Sequence, residues 1–173
     1  MGIRNILRED DPTLKKNSRV VTEFNERLHI LLDDMRDTLI DANGLGLAAP
    51  QVGVLRRVVL VVDLNIESDL PEEQIIELIN PEIIASSGTQ RDTEGCLSIP
   101  GVYGIVTRPD TVKVKAQDRH GTEFEVWGSG LTARALCHEI DHVNGVLFTT
   151  HAEKLLTEEE LDELAMEENG DAQ

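Results

Sequence analysis

Residues 138–142 read HEIDH, two histidines and a glutamate within five positions. On a helix, His138 and His142 at i and i+4 leave the same face, which suits two ligands of one tetrahedral divalent ion. Glu139 lies about 100° round from His138, able to reach a water at the ion without binding the ion. Such a set suits hydrolysis of an amide. The alternative is an exposed helix carrying two unrelated histidines. Ala133, Ala135, Leu136 and Ile140 argue for a buried helix instead.

Two histidines do not complete a site. The extended peptidase pattern H-E-x-x-H-x-x-G-x-x-H is matched as far as Gly145 and then meets Phe148 where its last histidine would stand. His151 and Glu153 follow too soon after the helix stop to be good ligands. Upstream, EGCLSIPG at 94–101 offers Cys96, in a turn-rich stretch after a strand. A thiolate with two imidazoles leaves one position open for water, the arrangement of a catalytic rather than a structural site. Taken alone, Cys96 reads as the small buried hydrophobe that a free cysteine usually is. A third segment, GLGLAAPQVG at 44–53, combines glycines that let backbone approach another chain closely with Gln51, a neutral amide donor. Its alternative is a helix-to-strand turn with an incidental glutamine.

Several elements must position these groups. Phe24, Leu28, Leu31, Leu32, Met35 and Leu39 recur at three- and four-residue spacing and predict an N-terminal helix, with Thr22 as its N-cap and Asn43-Gly44 as its stop. His29, one step off that stripe, reads as a surface or boundary histidine. RRVVLVVD at 56–63 is a buried strand. IIELINPEIIASSG reads as two short strands around Asn80-Pro81. TVKVKAQ and TEFEVWG alternate and form a hairpin through DRHG, with His120 exposed in the turn. A helix is expected from Leu131 to Asn144, capped by Ser129 and stopped by Gly145. Thr157 with Glu160 has the capping-box form and starts a short acidic helix. Strands in the middle flanked by helices give an α+β class rather than parallel α/β, with a long N-terminal helix and a short C-terminal one.

With 173 residues the chain is expected to form a single catalytic domain, 1–173, ending in an acidic helix and tail over 155–173. Aromatic residues are only 3%, so the core must be built from Leu, Ile and Val. No run approaches the roughly 18 apolar residues of a membrane helix, and MGIRNILREDD has no apolar signal core. A cytoplasmic protein is expected. Two cysteines make no disulfide framework. The net charge of −17 disfavours general affinity for nucleic acid. It is uneven: from Ala152 onward there are nine acidic residues and one lysine, while Arg4, Arg8, Lys15, Lys16 and Arg19, and then Arg108, Lys113, Lys115 and Arg119, form two basic groups.

Together, GLGLAAPQ (44–51), EGCLS (94–98) and HEIDH (138–142) resemble the motifs GxGLAAPQ, EGCLS and HExDH of peptide deformylases, complete and in order. The resemblance covers roughly residues 2–155, points to the common bacterial branch, and implies an α+β fold of antiparallel strands surrounding a central HEIDH helix. It implies Cys96, His138 and His142 as metal ligands, with Fe²⁺ the usual ion and Zn²⁺, Ni²⁺ or Co²⁺ able to occupy the same site. It implies an enzyme that removes the formyl group from N-terminal formylmethionine of nascent peptides, releasing formate. Glu139 would move the proton, and the Gln51 amide and Leu97 backbone N–H would stabilise the oxyanion. The peptide would run as an added strand between Gly44–Gly46 and the stretch after Cys96, with Gly46 as its backbone partner. Leu45, Leu131, Ala135 and the stem of Arg134 are the candidate walls of a methionine pocket.

Around these, Glu94 and Arg108 are expected either to pair and hold the Cys96 turn or to stand as independent surface charges. Asp141 would face away from the metal and orient its neighbours. One departure stands out: many relatives carry Gln before HExDH, where this chain has Cys137, an oxidation liability if the helix brings it near Cys96. A metallopeptidase using the same chemistry is the rival enzyme. An inactive metal-binding relative is the rival without catalysis, and the presence of Glu139 and Gln51 speaks against it. Transient ribosome contact would use the basic groups within 4–19 and 108–119; no membrane or specific nucleic-acid partner is expected.

Overall fold

In the computed structural model, which describes residues 2–171, helix α1 spans Glu26–Ala42. Its apolar stripe buries Leu28, Leu31, Leu32, Met35 and Leu39. The cap is Asn25 rather than Thr22: the Asn25 side chain accepts from Leu28 N at 3.2 Å, satisfying a donor at the helix start that Thr22, three residues earlier, cannot reach. Asn43 ends the helix in the left-handed region at φ 53°, as the Asn-Gly pair predicts.

Strands β1 (Gly46–Ala48), β2 (Val58–Val62) and β3 (Ile75–Ser87) follow, then β4 (Gln90–Cys96), β5 (Ile99–Arg108), β6 (Thr111–Gln117) and β7 (Glu123–Ser129). After helix α2 (Leu131–Val143) come β8 (Lys154–Thr157) and helix α3 (Glu158–Asp171). The strands form two antiparallel sheets, one ordered β1-β2-β3-β6-β7 and one ordered β4-β5-β8. The class is α+β.

β3 is one strand, not two. Asn80 adopts φ 53° and the register shifts between Ile79 and Glu82, so the chain bulges around Pro81, which has no N–H to donate. The Asn80 side chain then takes up orphaned groups, accepting from Val21 N at 2.8 Å and donating to Val21 O and Gln117 Oε1. β4, β5 and β8 have no counterpart in the sequence reading. Residues 90–104 carry four glycine or proline residues and little alternation, and their order comes from cross-strand pairing such as Glu94↔Gly104.

α2 packs against β1, β2, β6 and β7 of one sheet and touches β5 of the other. It is therefore buried on nearly all sides: Thr132 through Ile140, with His142 and Val143, lie inside. Ser129 is not its cap but the last residue of β7, paired with Thr111. Gly130 takes that place at φ 57°, ψ −125°, a conformation that side chains disfavour, and makes the sharp turn from strand to helix. Thr157 accepts from Glu160 N at 3.2 Å and starts α3, supplying the Thr157 half of the expected capping box.

Candidate active site

α2 presents His138 and His142 one turn apart, and β4 ends at Cys96 facing them. Cys96 Sγ is 3.3 Å from His142 Nε2, which is 3.2 Å from His138 Nε2. These three ligand atoms all lie within 4.8 Å of one another, the one such group among the described residues. A thiolate and two imidazoles converging in this way fit a borderline-soft divalent ion, and three protein donors leave a coordination position for water. His151 and Glu153 are elsewhere: His151 Nε2 approaches Asp141 at 3.3 Å and Glu153 pairs with Arg91.

The charges around the donors favour a cation. Burial opposes charge on His138, but Glu139, Cys96 and Glu94 outweigh it and hold its pKa high. Burial and the neighbouring His138 hold His142 low, in the neutral form that binds metal. Glu94 Oε2 lies 2.7 Å from His138 Nδ1, which fixes the proton on Nδ1 and leaves Nε2 for the ion. Burial would raise the Glu94 carboxyl, yet hydrogen bonds from His138 and Arg108 bring it down to about 2. Glu94 and Arg108 do pair, at 2.7 Å, and both are buried. Arg108 also reaches Asp141 at 2.8 Å, and Arg134 Nη1 donates to Glu94 Oε1 at 3.0 Å.

Gln51 is buried at the start of the cavity. Ala48 N donates to its Oε1 at 2.9 Å, which turns Nε2 toward Cys96 Sγ at 3.6 Å and Ser98 Oγ at 3.1 Å. Glu139 abuts β1: a Cβ added at Gly46 would sit 2.5 Å from Glu139 Oε2, so only glycine admits that approach. Burial pushes Glu139 up to about 7. A cavity of about 410 Å³ opens over the site. Gly44, Leu45 and Gly46 line it together with Leu97, Leu131, Arg134 and Ala135. Thr93, Gly95, Pro100, Val102 and Tyr103 also line it; they lie on β4 and β5, strands that the sequence reading does not include and that only cross-strand pairing brings to the site. Cys137 is buried in a different apolar cluster from Cys96, and burial pushes its thiol up to about 11. It is a core side chain.

A family profile described as Polypeptide deformylase matches residues 3–158. The chain belongs to the polypeptide deformylase family. It is a metal-dependent hydrolase that removes the formyl group from the N-terminal formylmethionine of nascent proteins. It is 52% identical to a peptide deformylase of Caldicellulosiruptor bescii over 94% of this chain and 93% of that one. It is 55% identical to one from Alkaliphilus metalliredigens over 86% and 96%. Among solved structures, the peptide deformylase of Legionella pneumophila superposes with a TM-score of 0.80 at 40% identity, covering 97% and 98% of the two chains. Among the described residues, no helix of this deformylase is long and apolar enough to cross a membrane.

Proposed function

We propose that the whole chain, 1–173, acts as one catalytic domain in the cytoplasm and that Cys96, His138 and His142 hold its ion, with Fe²⁺ resident and Zn²⁺, Ni²⁺ or Co²⁺ able to replace it. The observation that carries this is the convergence of one sulfur and two imidazole nitrogens within 4.8 Å beside a buried glutamate. When bound, the ion supplies Lewis acidity, which makes water a nucleophile near neutral pH. Glu139 takes the water's proton and returns it to the leaving amine. A carboxyl near 7 is suited to both transfers. Gln51 Nε2, oriented by Ala48, and the Leu97 backbone N–H receive the oxyanion as it develops at the formyl carbon. Glu94 holds His138, while Arg108, itself paired with Asp141, holds Glu94 in place.

The formylmethionine side chain enters between Leu45, Leu131, Ala135 and the Arg134 stem. The peptide backbone runs along the β1 edge at Gly44–Gly46. β4, an edge strand whose Thr93–Gly95 segment lines the same cavity, is the second edge available to it, rather than only the stretch after Cys96.

The test is formate release from formyl-Met-Ala-Ser by protein loaded with Fe²⁺ without oxygen, beside Glu139→Ala with its metal content measured. Activity should fall by roughly 10²–10⁴ in a variant that keeps its metal. A metal-loaded variant with undiminished turnover removes Glu139 from the mechanism. Turnover of acetyl-Met-Ala-Ser or an unblocked peptide at the same rate favours the peptidase reading.

A further inference from the structure

β4 is the outer strand of its sheet, and its open side extends past the cavity over Cys96. Opposite Thr93, Ile105 gives its carbonyl to Glu153 N at 2.8 Å on the far side, and Thr93 N donates to Asp92 Oδ1 at 2.7 Å. The Thr93–Ile105 pair therefore points its backbone groups away from the β4–β5 ladder, and by alternation Arg91 and Gly95 also face outward. These are the groups that an added peptide strand would bond.

A second cavity, of about 290 Å³, opens beside this edge. Arg91, Asp92, Thr93 and Ile105 line it from the sheet, and Leu161 and Asp162 from α3. Thr93 lines both cavities, so the two meet at one side chain. Arg91, the only base in the lining among the described residues, is held by both oxygens of Glu153 at 3.0–3.1 Å. Asp92 and Asp162 are exposed and form no ion pair among the described residues, which leaves the groove negative. Past Cys96 the chain turns inward to Ser98 and Ile99, both buried. A peptide whose formyl group sits at Cys96 therefore leaves in the other direction, back along β4 and antiparallel to it.

We propose that the groove between the β4 edge and α3 binds the fourth and fifth residues of the nascent chain and favours basic side chains there. The proposal rests on the placement of formylmethionine in the first cavity and of the peptide along β4. One peptide residue passes one residue of β4, about 3.3 Å. With the formyl group level with Cys96, the methionine stands at Gly95, the third residue at Thr93 and the fifth at Arg91. A peptide carbonyl that takes the Thr93 N–H releases Asp92 to meet a cation, and Asp162 lines the opposite wall. Ile105 and Leu161 offer apolar surface to the stem of a lysine or arginine. Acidic side chains at these positions meet like charge instead. The chemistry at the formyl group is unchanged; the groove holds the chain that trails it.

The experiment measures formate release from nine-residue peptides that begin formyl-Met-Ala-Ser and continue in alanine, with two lysines placed either at positions four and five or at eight and nine. Both peptides carry the same charge, so the general pull of a chain at −17 acts on them alike. The first should show a KM lower by roughly two- to fivefold at equal kcat, the weight of partly exposed ion pairs made equally in ground and transition states. Equal KM values overturn the proposal. Asp92→Asn combined with Asp162→Asn should remove the difference, and a difference that survives also overturns it. The readout is a ratio between two substrates, so a general loss of activity in the variant does not imitate the result. Ala135→Leu checks the placement beneath the proposal. It should raise KM for formyl-Met-Ala-Ser; an unchanged KM refutes the methionine pocket, whereas equal KM values for the two long peptides refute the groove alone.

Discussion

Glu94 shows how one side chain sets the others. Its two oxygens receive Arg108, Arg134 and His138, and its side chain is 4% exposed. A buried carboxylate between two guanidinium groups is costly to remove, because the cations stay behind without a partner. Glu94→Gln is expected to lower stability by about 3–5 kcal/mol and to weaken metal affinity roughly 10- to 100-fold through the loss of the His138 contact. Thermal unfolding and a metal-competition titration measure the two effects. A variant with wild-type melting and affinity would show that Glu94 is dispensable at this site. Sequence suggested the Glu94–Arg108 pair but not the further convergence of Arg134 and His138. Those partners lie 40 and 44 residues away, and no local pattern marks them.

Among the elements, Glu77 on β3 ties three parts together. It accepts from Arg36 of α1 and from Arg119 of the β6–β7 turn, and Arg119 also holds Asp33. Burial works to raise the Glu77 pKa, and the hydrogen bonds from Arg119 and Arg36 more than reverse it, so the folded value lies below the ordinary 4.5. A carboxyl depressed on folding stabilises above its unfolded pKa, and that contribution is lost as pH falls from 4.5 through the lower folded value. Glu77→Gln should therefore destabilise by about 1–3 kcal/mol near neutral pH and flatten the acid limb of the stability curve. Denaturant midpoints at pH 7 and pH 3 are the measurement; parallel losses at both pH values would mean the charge contributes nothing. The basic Arg119, read from sequence as part of an outward cluster, is occupied by these acids.

For the whole molecule, the distribution of basic charge differs from the linear impression. Arg108 is buried at the site, Lys113 and Lys115 pair with Glu125 and Glu123 across the hairpin, and Arg4 pairs with Asp34. Arg8, Lys15, Lys16 and Arg19 are exposed and form no ion pair among the described residues. We propose that direct ribosome contact would use these N-terminal basic residues, against the net charge of −17. Affinity should then fall steeply with salt and should drop when Lys15, Lys16 and Arg19 are neutralised. Sedimentation with ribosomes across a salt series checks it, and a salt-insensitive affinity rules out the docking face.

By itself the sequence determined the chemistry and the periodic elements. HEIDH needs only helical spacing to align its imidazoles, α1 and α2 declare themselves through apolar stripes, and the β6–β7 hairpin through alternation. The caps lie one to three residues after the positions read from sequence, and the interruption at Asn80-Pro81 is a bulge within one strand rather than a break between two, because Asn25, Gly130 and Asn80 act through contacts and backbone angles rather than through a repeating pattern. Only the tertiary structure decided how closely Cys96 meets His142 across 46 residues, that Gln51 turns its amide toward that sulfur, and that Glu94 gathers three partners. It also decided β4 and β8, whose residues carry little strand signal, and the placing of β5, whose Val102–Thr107 run favours a strand but is interrupted by Gly104. Those features arise from pairing between distant segments, and a periodicity read along one segment carries no information about which other segment will lie against it.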